Sequence, residues 1–373
     1  MERASSAFIY RAFVGLAVAS VIFLSFPKAF ADKFNSETSA SARAFGMGST
    51  GVNTERGSYA VFYNPANLAA KDTSVNVQVV NIQTDASDAW LGRASQGQMQ
   101  NFQSLSGLYG DLKTNKNTYS SGRYSVYPNV TLRNFSLGMI YEVNQGAEVR
   151  ASDDALRVKA RNRAGLVGAL SFRLFSGILR FGASAQLLSR GDADSFITVP
   201  INESALDFKR SINSGTGLSK SAGMTVTLPF RFLPSFSMVA RDIGDTRYSG
   251  KGFVNWGEGS NIPTQPMTLD FGTSLTIYLA RRAELKVAFD YRDYTNQLVG
   301  GNFRHMFIGG EMIFYDILKF RAGVAHGYMS YGFGLSTKKA SLDLAAYADE
   351  KDDRLRGSRE QRYVFQYTWN LGY

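Results

Sequence analysis

The chain lacks cysteine altogether. This absence excludes disulfide bonds, thiolate metal sites, a cysteine nucleophile and a lipid-modified cysteine at a mature N-terminus. Histidine is almost as scarce, because His305 and His326 are the only two. A histidine-rich metal site is therefore nearly excluded, and we predict no metal and no cofactor.

An enzymatic function also lacks support. A serine hydrolase of the outer-membrane phospholipase kind needs a histidine beside a serine and a polar group that orients it. Serines are plentiful, so this alternative stays open, but no motif surrounds His305 or His326. The acidic run 349–353 could offer oxygen ligands to calcium, whereas Lys351 and Arg354 favour an ordinary charged loop. We predict no catalytic residues and no enzyme.

Long apolar runs are missing after residue 26. Before that point, residues 12–26 form an apolar run behind Arg3 and Arg11, and an A-x-A motif ends at Ala31. This pattern predicts a secretory signal peptide, residues 1–31, cleaved after Ala31. An uncleaved membrane anchor is the alternative, but the run is short for one. Because no later segment reaches the ~18 apolar residues of a spanning helix, an exported membrane-integral chain must be a closed β-barrel.

Acidic residues are outnumbered, 31 against 41 lysines and arginines, which gives a net charge of +10. A basic excess can indicate binding to nucleic acid. Here the basic residues are scattered, without a basic helix or cluster. We interpret them as part of a solvated lumen and of loops that face anionic lipid headgroups, and we predict no nucleic-acid partner.

Strand patterns dominate the remaining sequence, in which proline is scarce (8) and glycine abundant (36). Apolar residues alternate with polar or small ones, as expected for strands with two different faces. About fourteen such segments follow residue 75, many long enough for the ~9–11 residues of a membrane-spanning strand. They span 75–84, 123–133, 135–150, 156–175, 179–197, 218–232, 234–248, 265–280, 283–295, 303–316, 317–325, 330–338, 341–349 and 362–373. The last one carries the clearest outer face, formed by Tyr363, Phe365, Tyr367, Trp369, Leu371 and Tyr373.

The connections between these segments alternate between long and short. This asymmetry is typical of outer-membrane barrels, which have short periplasmic turns and long outer loops. A soluble β-sandwich would also show alternating strands, but it would not place aromatic residues and leucines on one face of nearly every strand. The long connections include 85–122, 198–217, 249–264, 296–302 and 350–361.

The first long connection, 85–122, contains a possible helix. Met99, Phe102, Leu105 and Leu108 lie near helical spacing, which predicts a short amphipathic helix. The simpler interpretation is a loop that packs on the barrel rim, and the alternative is a ligand gate.

Residues 42–70, between the leader and the first strand, form a compact stretch rich in small residues. Ser58 can cap a short apolar turn over 59–63, and Asn64 and Pro65 suit the N-cap and first position of the next turn. Regular structure is interrupted early by Gly46, Gly48, Gly51 and Gly57. Since no other mature segment lies outside the strands and their connections, we predict a hatch in the barrel lumen. Its candidate ligand-path residues are Gly46, Met47, Gly48, Tyr59, Phe62, Tyr63, Asn64 and Pro65.

The sequence ARAFGMGSTGV followed by AVFYNPANLA resembles the N-terminal signature of the FadL-type long-chain fatty acid transporters of the outer membrane. It is also similar to related barrels associated with conjugation and with secretion in gliding bacteria. The resemblance implies a monomeric barrel of fourteen strands, a hatch at residues 42–70 and hydrophobic ligands that enter from the outer loops. Some members release ligands sideways, and Gly138 and Gly146 mark a candidate strand for such a gap, because glycine often accompanies a bulge or kink.

Together these features predict an all-β fold: a transmembrane antiparallel β-barrel of about 14 strands with a small lumenal hatch. One domain, residues 32–373, follows the signal peptide and lies in the cell outer membrane. The expected function is passive uptake of hydrophobic small molecules such as long-chain fatty acids. The alternative is a structural or interaction barrel that serves a secretion, conjugation or envelope complex without transport. Expected partners are outer-membrane lipids and lipopolysaccharide, a hydrophobic small-molecule ligand, and the barrel-assembly machinery, which the last strand, 363–373, would engage.

Overall fold

The computed structural model describes residues 40–70, 75–95, 105–198, 212–295, 297, 302–351 and 358–371. The predicted signal peptide and Tyr373 lie outside them. The helices are α1 (Ala42–Gly46), α2 (Ala60–Tyr63), α3 (Asp88–Ser95) and α4 (Leu105–Leu112). The strands are β1 (Val75–Ser87), β2 (Ser120–Val126 and Asn129–Leu132), β3 (Phe135–Val149), β4 (Leu156–Leu174), β5 (Leu179–Ile197), β6 (Asn213–Thr227), β7 (Ser235–Arg241), β8 (Thr268–Ala280), β9 (Ala283–Tyr291), β10 (Met306–Phe314), β11 (Leu318–Ala325), β12 (Tyr328–Ser336), β13 (Ala340–Glu350) and β14 (Arg359–Asn370).

The strands form one antiparallel sheet that closes on itself. Each strand pairs with the next in sequence, and β1 also pairs with β14, which completes a barrel of 14 strands. β2 is interrupted at Tyr127 and Pro128, but its two parts pair with the same neighbours, β1 and β3. The predicted all-β barrel is therefore confirmed. The predicted spans 218–232 and 234–248 were the least accurate, because the observed strands are 213–227 and 235–241.

Side chains alternate between an apolar outer face and a more polar inner face. In β14, Tyr363, Tyr367 and Trp369 are exposed, whereas Arg362 and Gln366 are buried. The same alternation in other strands exposes an apolar belt suited to lipid contact. Belt residues include Leu137, Met139, Leu166, Leu170, Leu187, Leu218, Phe236, Ile308, Phe320 and Leu344.

We call the barrel end with the short turns the turn end, and the opposite one the loop end. The turn end holds the connections after β2, β4, β6, β8, β10 and β12, together with the start of β1. No helix in the described part of the chain has the length and apolarity needed to cross a membrane.

Loop-end elements pack on the outside of the longest strands. Leu108 and Leu112 of α4 contact Ala147 and Val149 of β3, which share a face with the exposed Met139. α4 therefore packs on the rim, as the simpler interpretation of the loop expects. Met99 and Phe102, the other residues of the predicted helix, lie outside the described residues.

Candidate functional site

Residues 40–70, which we call the N-terminal segment, fold into short helical turns. Ser41 Oγ accepts a hydrogen bond from Ala44 N at 3.1 Å and so caps α1. Gly48 has φ 62°, a left-handed conformation that glycine adopts without a side-chain clash. Asn64 Oδ1 accepts from Ala66 N at 3.0 Å, so Asn64 starts the next turn as predicted. Ser58 does not cap, because its hydroxyl instead donates to Gln78 Oε1 at 3.0 Å.

The N-terminal segment lies inside the barrel and contacts the wall on all sides. Its residues are almost all buried, and burial raises the pKa of both Glu55 and Tyr59. Polar contacts join it to many strands. They include Ala42 N to Gln366 Oε1 at 2.8 Å, Gly48 N to Ser330 Oγ at 2.8 Å, Gly51 N to Asp290 Oδ2 at 2.7 Å, Asn53 Nδ2 to Ser235 O at 2.7 Å, Asn64 Nδ2 to Thr225 Oγ1 at 2.9 Å and Tyr59 Oη to Asn81 Oδ1 at 3.2 Å.

The strongest of these contacts is an ion-pair network centred on Glu311 of β10. Arg43 of the N-terminal segment donates to both Glu311 oxygens, at 2.9 and 2.6 Å. Arg321 also donates to Glu311, at 2.8 Å, and pairs with Asp343 at 2.7 Å. Arg43 further approaches Glu55 at 3.5 Å. Because Glu311 is buried and Arg43 binds it through two hydrogen bonds, the network fixes the position of α1 against the wall.

Glycines of the wall make room for the N-terminal segment. A Cβ added to Gly309 would overlap the Met47 carbonyl, and one added to Gly323 would overlap the backbone of Gly48. The same close approach recurs on four further strands, each time facing a different part of the segment. The wall glycines are Gly182, Gly223, Gly272, Gly309, Gly323 and Gly332. The wall is therefore shaped to hold this segment at close backbone contact.

Aromatic side chains of the segment pack against aromatic rings and guanidinium groups of the wall. The Phe45 ring stacks on Tyr347 with centroids 4.2 Å apart, and the Arg123 guanidinium lies 4.8 Å from its centroid. The guanidinium of Arg292 lies 5.1 Å from the Tyr63 ring centroid. Tyr59 and Phe62 both pack on Tyr127, with centroids 5.6 and 5.0 Å away.

All eight predicted ligand-path residues are thus in the lumen, and the contacts they make are with the segment itself and the wall. Gly46 and Gly48 approach Gly332 and Gly323, and Pro65 approaches Gly182. Met47 is fully buried. These contacts pack the segment against the wall. In the last strand, Leu371 is exposed like Tyr363, Tyr367 and Trp369, and Phe365 lies on the same face.

Above the segment, toward the loop end, the lumen is crossed by buried ion pairs. Asp85 of β1 pairs with Arg362 at 2.7 Å and with Arg123 at 2.6 Å, and it accepts from Tyr347 Oη at 2.7 Å. Since Arg123 and Tyr347 also hold Phe45, this cluster connects the β1–β14 closure to the N-terminal segment. Sequence patterns did not indicate it, because its members are far apart in the chain.

A cavity of about 770 Å³ opens at the loop end. Its lining carries charges of both signs rather than an apolar surface. Several are paired, for example Lys351 with Glu360 at 2.6 Å and Arg157 with Glu148 at 3.7 Å. This cavity suits polar groups better than a hydrocarbon chain.

The glycines predicted to mark a lateral gap do not line one. The space beside Gly138 is filled by the Tyr127 ring, and that beside Gly146 by Tyr119. Register shifts occur at Gln78/Val80 in the β1–β14 pairing and at Ala283/Glu284 in the β8–β9 pairing. Another irregularity lies in β2, where Pro128 has no N–H. Backbone bonds persist there, from Tyr127 N to Asn81 O at 2.8 Å and from Met139 N to Pro128 O at 3.0 Å.

The two histidines contact groups other than serine hydroxyls in the described part of the chain. His305 Nδ1 contacts the Arg292 carbonyl at 2.8 Å, and His326 packs edge-on against Phe307. Within the described ranges, neither ring hydrogen-bonds a serine, and no cluster of three metal-ligating side chains occurs. The acidic run 349–353 is described only as far as Lys351.

Solved structures share this fold over most of the chain. The monoaromatic hydrocarbon channel CymD matches with a TM-score of 0.52 at 12% identity, covering 88% of this chain and 96% of that one. The toluene transporter TbuX of Ralstonia pickettii matches at 0.51 and 12%, covering 90% and 99%. The toluene transporter TodX of Pseudomonas putida matches at 0.50 and 13%, covering 92% and 98%. No family model and no curated protein matches. At these identities the likeness establishes the fold, as the resemblance implied.

Proposed function

We propose that the protein is an outer-membrane channel for passive uptake of hydrophobic small molecules, with the N-terminal segment as its hatch. The observation that carries this proposal is a closed barrel whose lumen is filled by its own N-terminal segment. Apart from the peptide chain that joins it to β1, that segment is held to the wall by hydrogen bonds and ion pairs. Such contacts can break and re-form, so a path can open without loss of the barrel.

The substrate class is inferred from the apolar outer belt and from the fold. A water-filled pore transports apolar solutes poorly, whereas a closed lumen beside an apolar wall limits leakage of polar solutes. The matched structures with the same fold are named as channels for monoaromatic hydrocarbons and toluene. Aromatic hydrocarbons and long-chain fatty acids are the two substrates to test first. Transport of this kind needs no catalytic residue.

The cellular setting follows from the same proposal. The signal peptide, cleaved after Ala31, would export the chain, and the belt would place it among outer-membrane lipids and lipopolysaccharide. The outward aromatic residues of β14, such as Tyr367 and Trp369, would present the last strand to the barrel-assembly machinery. A barrel closed by its own β1–β14 pairing needs no second copy, which supports a monomer.

A second candidate is a structural or interaction barrel without transport. The charged loop-end cavity favours it, because Glu148, Arg157 and Lys351 offer no apolar entry site. The many contacts of the N-terminal segment favour it as well, since they oppose opening.

Uptake by whole cells separates the two functions. The experiment uses a Gram-negative host without its own transporters for hydrophobic compounds, which carries either a vector that expresses the chain or the empty vector. We expect faster uptake of labelled toluene or oleate, and unchanged uptake of a sugar. The structural barrel would be favoured if cells with and without the chain took up each hydrophobic probe at the same rate and if purified outer-membrane complexes contained a stoichiometric protein partner.

A further inference from the structure

The turns at the turn end carry an excess of positive charge. The six described turns hold one acidic residue, Asp316, and six basic ones: Arg133, Arg231, Arg281, Arg282, Lys338 and Lys339. All seven side chains are exposed. The described connections at the loop end differ, because acidic and basic residues are nearly equal in number there. The basic excess is therefore a property of one barrel end and not of the whole surface.

Five of these basic residues lie on neighbouring turns, and we call them the basic arc: Arg231, Arg281, Arg282, Lys338 and Lys339. Their turns follow β6, β8 and β12, and the turn after β10 lies between the last two. Backbone hydrogen bonds join these elements, from Thr276 N to the Phe232 carbonyl at 2.9 Å, from Tyr315 N to the Arg282 carbonyl at 2.8 Å and from Ser336 N to the Ile317 carbonyl at 2.8 Å. The basic arc is therefore one continuous stretch of the rim.

The basic arc has no carboxylate partners of its own. Within the described part of the chain, neither its five members nor the adjacent Asp316 form an ion pair. By comparison, the exposed Lys116 at the loop end pairs with Asp154 at 2.5 Å. A rim that carries one charge sign attracts counter-ions. A negatively charged surface that faces the arc would lower the repulsion among its cations.

Exposed aromatic rings accompany the arginines of the basic arc. The Arg282 guanidinium lies 5.3 Å from the Tyr315 ring centroid, and the Arg231 guanidinium lies 5.5 Å from that of Phe232. Both rings are exposed, and the apolar belt starts a few residues further on, at Phe236 of β7. Aromatic rings are enriched where a membrane protein crosses from hydrocarbon to water. The basic arc therefore lies at the level of the lipid headgroups.

We propose that the basic arc binds anionic phospholipid headgroups in the membrane leaflet at the turn end, which is the periplasmic leaflet in outer-membrane barrels. Arg231 and Arg282 would donate to phosphate oxygens through the planar fork of the guanidinium group. Lys338 and Lys339 add compact charges on flexible stems. The bound headgroups would fix the depth of the turn end in the membrane. This binding does not depend on transport.

A lipid surface suits the basic arc better than an acidic protein does. The cations are spread over separate turns, and a bilayer meets every turn of the rim at the same level. The exposed rings of Phe232 and Tyr315 also lie among these cations, and lipid covers rings and charges together. Attraction to an anionic leaflet falls off within a Debye length, so it acts on charges at the membrane boundary, where the arc lies.

Electron paramagnetic resonance of spin-labelled lipids tests this binding in bilayers. The full mature protein is reconstituted in phosphatidylcholine with a trace of spin-labelled phosphatidylglycerol or spin-labelled phosphatidylcholine, and the fraction of label immobilised by the barrel is measured. The arc variant replaces four cations by glutamine: Arg231→Gln, Arg282→Gln, Lys338→Gln and Lys339→Gln. A matched control removes four exposed cations at the loop end: Lys113→Gln, Lys116→Gln, Arg247→Gln and Lys251→Gln. A charge-conserving variant exchanges arginine and lysine at the four arc positions.

Each cation near an anionic leaflet favours binding by about fivefold, but the arc contacts only the lipids at the turn end, so we expect the unmodified chain to enrich phosphatidylglycerol about twofold or more over phosphatidylcholine. The loop-end control and the charge-conserving variant should keep this enrichment. The arc variant should lose it, and so should the unmodified chain in about 1 M salt, where the Debye length is about 3 Å.

The proposal is overturned if the unmodified chain immobilises both lipids equally or if the arc variant still enriches phosphatidylglycerol. An equal loss in the loop-end control would also overturn it, because the effect would then come from net charge alone. A chain without lipid preference that binds an acidic protein through these four cations would assign the arc to that protein instead. Heat-modifiable mobility on gels shows that each variant is a folded barrel.

Discussion

Arg43→Ala should loosen the N-terminal segment while leaving the barrel intact. The side chain makes two hydrogen bonds to Glu311 and one to the Thr54 carbonyl at 2.7 Å. Removing one partner of a buried ion pair costs about 3–5 kcal/mol. Arg321 still neutralises Glu311 at 2.8 Å, so we take the lower end, about 3 kcal/mol. Each 1.4 kcal/mol changes an equilibrium constant tenfold. We therefore expect the displaced state, in which the N-terminal segment has left its place in the lumen, to become about 150-fold more populated.

Ion current through planar bilayers and sensitivity of cells to vancomycin measure that displaced state. We expect both to rise in Arg43→Ala and to stay at the unmodified level in Arg281→Ala, which removes an exposed arginine from a turn. Both variants should show the same heat-modifiable mobility of a folded barrel on gels. A folded Arg43→Ala barrel that conducts no more than the Arg281→Ala control would refute the assigned role of the Glu311 network.

Three further changes test neighbouring features. Gly323→Leu should displace the segment, because even a Cβ there overlaps Gly48, and raise antibiotic sensitivity without loss of the folded band. Deletion of residues 42–64 should leave a barrel that inserts but leaks small solutes in a liposome-swelling assay, and an impermeable product would contradict the hatch assignment. Met139→Arg should destabilise the barrel by about 2–4 kcal/mol in urea titration, because it places a charge on the lipid face; an unchanged midpoint would show that Met139 lies outside the belt.

The barrel itself could be predicted because its signals are local. Period-two alternation in segments such as 363–371 reports the two faces of a strand directly. The least accurate spans, 218–232 and 234–248, flank the turn at Pro234. There β7 ends at Arg241, and the chain beyond it pairs only through isolated bridges, such as Thr246 with Gln265. Asp242, Gly244 and Asp245 have positive φ there, a conformation that ends the ladder and that period-two alternation does not report.

The lumen was harder to predict because its contacts join residues far apart in the chain. Nothing near Glu311 indicates that its partner is Arg43, and the wall glycines, such as Gly309, resemble ordinary strand glycines until their facing backbone is known. Gly138 and Gly146, which the sequence indicated as markers of a gap, accommodate tyrosine rings instead. By contrast, Asn64 was placed correctly, because a cap depends on residues two or three positions away.

The central claim is that the N-terminal segment must shift for hydrophobic solutes to pass, and a reversible cross-link tests it most directly. Because the chain has no cysteine, Val52→Cys with Gly272→Cys gives a single thiol pair. A Cβ at residue 272 would lie 2.9 Å from Val52 Cβ, so a shift of about 1 Å reaches disulfide geometry. We predict that oxidation abolishes toluene and oleate uptake and that reduction restores it, with Val52→Cys alone unaffected. Full uptake by the cross-linked protein would contradict the account.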